Sequence, residues 1–202
     1  MHVDDLDTPA LTLDLDILER NISDLAEACR RHDIDLRVHT KTHKIPEIAW
    51  MQIRAGAVGI ACQKLGEAEA MVAAGIEDIL IPYNIVGPRK VERLMRITPQ
   101  ARVTVAVDSE TTARGISEGA AAAGLVVPML AELDTGSKRC GVQTPEAALD
   151  LARTLTELPG VEFRGVMTYP TSERAQPFLD RTRELLDGAG IPVHTISGGG
   201  TG

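Results

Sequence analysis

The sequence predicts an α/β fold, a (β/α)8 TIM-type barrel with seven barrel strands in view. Three observations carry that prediction. Short apolar runs alternate with segments of helical spacing along nearly the whole chain. The connections between them are short, which means parallel strands joined by right-handed crossovers. Polar or charged residues end almost every strand: Lys41, Gln63, Asn84, Asp108, Asp134, Tyr169 and Ser197. A doubly wound open sheet also fits the alternation. It concentrates its site at one switch point, however, whereas a barrel gathers its strand ends into one mouth.

Taken in order, residues 8–14 alternate and read as a short opening strand. Asp16 can cap a helix over about 17–31, where Ile17, Leu18, Ile22, Leu25, Ala26 and Cys29 recur at helical spacing. The barrel strands follow at 36–41, 58–62, 78–82, 103–107, 128–133, 163–168 and 193–197. Helices fall between them, at about 46–55, 66–74, 88–97, 109–123, 145–158 and 172–189. Pro46, Pro88 and Pro145 suit a first helical turn, and Thr144 suits an N-cap. The chain reaches Gly202 at a strand-to-helix loop, while a typical barrel needs about 250 residues. The expectation is therefore one incomplete barrel domain over 1–202, stopping before closure, with its first and seventh barrel strands as open edges.

Composition narrows the function. A net charge of -8 argues against nucleic acid and anionic membranes. An aromatic content of 2% leaves no stacking platform for single strands. Cys29, Cys62 and Cys140 are odd in number and widely spaced, so neither a disulfide framework nor a paired-cysteine metal site is indicated. With no signal-peptide pattern and no apolar run of spanning length, a cytoplasmic protein is expected.

Three stretches could carry chemistry. The first is Arg37-Val38-His39-Thr40-Lys41-Thr42-His43-Lys44, at the carboxyl end of a strand. Period-2 alternation points Arg37, His39 and Lys41 the same way. Neighbouring cations lower an amine's pKa and make it a nucleophile toward aldehydes, so Lys41 is a candidate Schiff-base lysine. A solvated basic loop fits that run equally well. The second stretch is Ser197-Gly198-Gly199-Gly200-Thr201-Gly202, whose glycines would let backbone N–H groups approach a phosphate. An ordinary tight turn is its bland alternative. The third is Glu132-Leu133-Asp134-Thr135-Gly136 with Arg139, where the arginine could meet an anionic oxygen. Tyr169 ends the next strand, and from position alone it reads as a core tyrosine with a satisfied hydroxyl rather than as a site residue. Cys62, Cys140, His194, Trp50 and Met51 read as structural.

The ordered set of motifs resembles the D-threonine aldolase and D-serine dehydratase family. His39-Thr40-Lys41-Thr42-His43-Lys44 is similar to its HxKTHK signature. The likeness continues through Gly56–Lys64, Glu67-Ala68-Glu69, Asp78–Pro82, Glu132–Gly136, Arg139–Val142 and the terminal glycine run. Val38 stands where that family often has proline. The resemblance implies pyridoxal 5'-phosphate (PLP) and an alanine-racemase-like N-terminal barrel. It implies that Lys41 carries the cofactor, Arg139 meets its phenolic oxygen and Tyr169 lies near ring and substrate. Ser197, Gly198, Gly199, Gly200 and Thr201 would hold the phosphate. Gln63 and His39 face the mouth by strand phase, and His39 joins Lys41 and Tyr169 as a candidate catalytic residue.

The implied activity is cleavage of a D-3-hydroxy amino acid to glycine and an aldehyde. A D-serine dehydratase-like ammonia-lyase, an amino-acid racemase and a non-catalytic PLP carrier are the alternatives. The family also carries a C-terminal β-rich domain with a divalent metal site, and nothing here matches that domain or its ligands. The expected partners are a small D-amino-acid substrate and a second copy of the chain in a homodimer.

Overall fold

The computed structural model describes residues 2–200. Seven strands form one parallel sheet in sequential order: β1 (Arg37–His39), β2 (Gly59–Ala61), β3 (Asp78–Ile81), β4 (Arg102–Val107), β5 (Val127–Leu133), β6 (Val161–Thr168) and β7 (Thr195–Ser197). Helix α1 (Leu15–Arg31) precedes β1. The crossover helices are α2 (Pro46–Arg54), α3 (Leu65–Ala73), α4 (Pro88–Ile97), α5 (Glu110–Ala123), α6 (Pro145–Glu157) and α7 (Ala175–Gly188). No pairing joins β1 to β7 among the described residues, so the sheet is a curled half-barrel with two open edges.

The helix starts follow local chemistry. Pro46, Pro88 and Pro145 occupy first-turn positions, where a missing N–H costs nothing. Thr144 Oγ1 accepts from Ala147 N at 3.1 Å, as an N-cap should. Trp50 on α2 donates its indole N–H to the carbonyl of Ala74, the C-cap of α3, at 3.0 Å.

Two expectations for the amino-terminal segment are corrected. Residues 8–14 form no strand: no neighbouring strand offers their backbone a partner, and Leu11 is 98% exposed. The cap of α1 is Asp14, which accepts from Ile17 N at 3.1 Å, not Asp16, which lies inside the first turn. The ends of the strands expected at 36–41 and 193–197 are also trimmed. The first stops at His39 because Thr40–Thr42 turns into a 3-10 helix, and β7 starts only at Thr195.

The sheet has two faces with different fillings. Its outer face packs on the helices and holds the main core, including Ile60, Ile79, Val103, Val105, Met129, Leu133 and Val166. The inner wall is layered along the strands. At the amino ends lies an ionic layer: Arg37 donates to Asp78 at 2.7 Å, and Arg102 stands 4.0 Å from the same carboxylate. Arg164 joins Arg37 and Arg102 around a cavity of about 60 Å³ at this level. Above it Ala61, Leu80, Ala106, Leu130 and Met167 make a small apolar plug. Glu132 lies one strand step beyond Leu130, toward the mouth, and Ser197 pairs beside Met167.

One irregularity sets the phase of this wall. Partners along β5 and β6 run Met129 with Phe163, then Leu130 with Gly165, so β6 carries one extra residue, Arg164. Such a bulge moves every later side chain to the opposite face. Phe163 and Val166 both face the helices as a result, and Met167 faces inward.

Candidate active site

The carboxyl ends of β1, β5, β6 and β7 bring their loops to one mouth. Lys41 sits on the 3-10 turn after β1, Arg139 in the β5–α6 loop and Tyr169 directly after β6. Lys41 Nζ lies 5.3 Å from the centroid of the Tyr169 ring, and Arg139 Cζ lies 5.1 Å from it. Strands β1 and β6 are five places apart in the sheet, roughly 24 Å if it were flat. Curling alone makes that contact possible. Two cations on one aromatic ring are attracted by its quadrupole, by about 0.5–1 kcal/mol each where exposed.

The turn carrying Lys41 is built by its neighbours. Thr40 is fully buried, and its hydroxyl donates to the Ala61 carbonyl on β2 at 3.1 Å. His39 Nδ1 accepts from Lys41 N at 3.3 Å, so the ring shapes the turn. Burial first, and then the charge of Lys41, hold His39 below the usual histidine range. Lys44 Nζ folds back onto the Lys41 carbonyl at 3.0 Å. Arg37 does not join the mouth: it belongs to the ionic layer at the other end of β1, paired with Asp78. Arg37 and His39 share a face as alternation expects, but Arg37 lies a layer below the mouth, and Lys41 is placed by the 3-10 turn because the strand ends at His39.

The β5–α6 loop is organised by Asp134. Its Oδ1 accepts from Gly136 N and Lys138 N, both at 3.0 Å, and from the Ser137 hydroxyl at 3.4 Å. Burial works to raise this carboxyl, but these donors outweigh it and hold it below the usual range. Gly141 has φ +107°, and a Cβ there would meet Asp134 N at 2.5 Å, so the loop returns against its own strand only as glycine. Thr135 and Thr168 hydroxyls meet at 2.9 Å and tie the tops of β5 and β6 together.

The glycine run is clamped to the segment that follows Tyr169. Gly199 N donates to Thr171 Oγ1, and Thr171 N donates to the Gly199 carbonyl, both at 2.7 Å. A Cβ on Gly198 would stand 2.7 Å from the same hydroxyl. Ser197, Gly198, Gly199 and Gly200 therefore sit beside Tyr169, Pro170 and Thr171 at the mouth; Thr201 lies outside the described residues. Thr171 had no part in the reading of the sequence. Its only signal there is its place two residues after Tyr169.

The remaining candidates separate clearly. Gln63 follows β2, and its backbone N–H donates to the buried Glu67 carboxylate at 2.8 Å. Cys62 is fully buried, and burial pushes its thiol up to about 11, so it packs and does not attack. Cys140 is half-buried and bonded to Glu132. No group of three or more His, Cys, Asp or Glu side chains is placed to hold a metal ion among the described residues.

The fold and this mouth define a class. Residues 13–197 match the model of the alanine racemase N-terminal domain, and the chain belongs to that family. Among curated relatives it is 41% identical to a D-threonine aldolase of Arthrobacter sp., over 98% of this chain and 56% of that protein. It is 34% identical to a D-threo-3-hydroxyaspartate dehydratase of Delftia sp. (strain HT23), over 97% of this chain and 56% of that protein. The solved D-threonine aldolase from Filomicrobium marinum superposes with a TM-score of 0.94 at 36% identity, covering 97% of this chain and 57% of the other. The chain thus spans a little over half the length of the relatives it matches.

Proposed function

We propose that this chain is the lysine-bearing barrel domain of a PLP-dependent lyase that cleaves a D-3-hydroxy amino acid to glycine and an aldehyde. The observation that carries the reading is the convergence of Lys41 and Arg139 on the Tyr169 ring beside the glycine loop. The residues fit the cofactor. A primary amine stands at the mouth for its aldehyde. Thr171 holds the glycine run at one side of the mouth, where a main chain without side chains lets a phosphate approach. A guanidinium stands across the ring for its phenolic oxygen.

When bound, PLP supplies an electron sink for the charge left on Cα as a bond to it breaks. The chain's own part is placement. Lys41 is the covalent anchor. Arg139 and the glycine loop fix the two ends of the ring, and Tyr169 covers the space between the two cations. Overall, the substrate's β-hydroxyl loses its proton, the Cα–Cβ bond breaks and Cα regains a proton. The names of the two aldolases support this outcome, and that of the Delftia dehydratase supports loss of the β-hydroxyl instead. Both substrate names are D-3-hydroxy amino acids. Unpaired Cys29, Cys62 and Cys140 support a reducing compartment, the cytoplasm. No helix of the described residues is long and apolar enough to cross a membrane.

The test is made on the full protein loaded with PLP. Borohydride should fix the cofactor on the peptide bearing Lys41, and Lys41→Ala should give no adduct. D-threonine should yield glycine and acetaldehyde in equal amounts. An adduct that survives Lys41→Ala removes the anchor assignment, and 2-oxo acid with ammonia in place of glycine turns the reading to a dehydratase.

A further inference from the structure

Three guanidiniums gather under the apolar plug, at the end of the sheet away from the mouth. Arg37 of β1, Arg102 of β4 and Arg164 of β6 line one cavity of about 60 Å³. Cations around one space repel each other unless acids or an anion answer them. The acids at hand do not suffice. Asp78 accepts from Arg37 at 2.7 Å, and its other oxygen stands 4.0 Å from Arg102, too far for a hydrogen bond. Exposed Glu162 takes only Nη1 of Arg164, at 3.0 Å. Arg164 Nε is buried and has no hydrogen-bond partner among the described residues. A buried donor in that condition costs free energy until something accepts from it. Two carboxylates thus face three guanidiniums, an excess of positive charge in a chain whose net charge is -8. Thr104, Thr195 and Ser197 bring hydroxyls to the same wall.

We propose that this cavity binds a small oxyanion of the phosphate or sulfate class. Its volume has room for about four water-sized atoms, which suits the oxygens of a tetrahedral anion. Planar guanidiniums donate to such oxygens in pairs, and Arg164 Nε gains the acceptor it lacks. The negative charge offsets the excess on the arginines. Leu80 and Leu130 both line the cavity and belong to the plug above it, so the site is separate from the lysine mouth. Strands β1, β4 and β6 share no ladder with one another. The oxyanion therefore braces the amino end of the curled sheet across strands that the backbone leaves unjoined. The inference does not depend on the PLP reading.

The experiment is calorimetric titration of inorganic phosphate into the full protein, saturated with PLP so that the mouth is filled, at constant ionic strength. Saturable uptake is expected. Arg164→Gln should weaken it about tenfold, since hydrogen bonds to a charged group are lost. Phosphate should also raise the melting midpoint of the unmodified protein and leave that of Arg164→Gln nearly unmoved. If Arg164→Gln does not fold by circular dichroism, Arg102→Gln is read in its place and should weaken uptake severalfold. No uptake by the full protein overturns the proposal and leaves the arginines as ties within the barrel. Uptake that the substitution does not weaken overturns it too, because the anion then sits elsewhere.

Discussion

Tyr169 reaches the mouth because of two residues, Arg164 and Gly165. Without the extra residue in β6, alternation from Phe163 would turn Tyr169 toward the helices. Gly165 has φ +140°, and a Cβ there would run into the Thr195 carbonyl of β7. Gly165→Ala should therefore cost about 3 kcal/mol or more, from backbone strain and collision together, visible as a lower urea midpoint. This is where the sequence was hardest to read. Lys41, Arg139 and the glycine run were legible because motif chemistry marks them. Tyr169 was legible only through family likeness, since simple period-2 counting gives it the wrong face. Arg37 misled for the converse reason: it alternates correctly with His39, yet points to the lower layer where Asp78 awaits it.

At the scale of elements, the prolines and caps placed the crossover helices well, because a cap is local and needs no distant partner. The opening strand failed because a strand does need one, and the alternation of Leu11 and Leu13 meets no neighbour. Contacts between helices were not legible at all. Gly119 on α5 is the clearest case: a Cβ there would overlap Cγ1 of Val91 on α4, a buried and stiff β-branched side chain. Two effects oppose each other in Gly119→Ala. Helix propensity favours alanine by about 1 kcal/mol, while overpacking costs about 1–3 kcal/mol. The collision should win, with a net loss on the order of 1 kcal/mol in denaturant melts. A gain in stability would mean that α4 and α5 shift apart freely.

Across the whole molecule, acid stability follows from the half-buried histidines around the lysine turn. Burial first holds both His39 and His43 below the ordinary 6.5. The unfolded chain therefore binds protons below about pH 6.5 that the folded chain refuses, and stability falls as pH drops through that value toward the folded ones. Above it the two rings contribute nothing to the slope. Glu132, raised by burial above its ordinary 4.5, works with the opposite sign just above that pH. It is untouched in a His39→Gln/His43→Gln variant, so the difference between the two stability-versus-pH curves isolates the rings. The variant's curve should be flatter between about pH 5 and 6.5; parallel curves would show that the rings titrate alike in both states.

The hydrogen bond from Trp50 to Ala74 has a practical consequence. Trp50 is the only tryptophan of the chain, so ultraviolet emission comes from a single known place on the outer helical layer. Its indole is tied to the end of α3. Red-shifted fluorescence would therefore announce the parting of α2 from α3, and a refolding experiment could time that docking step with no label attached.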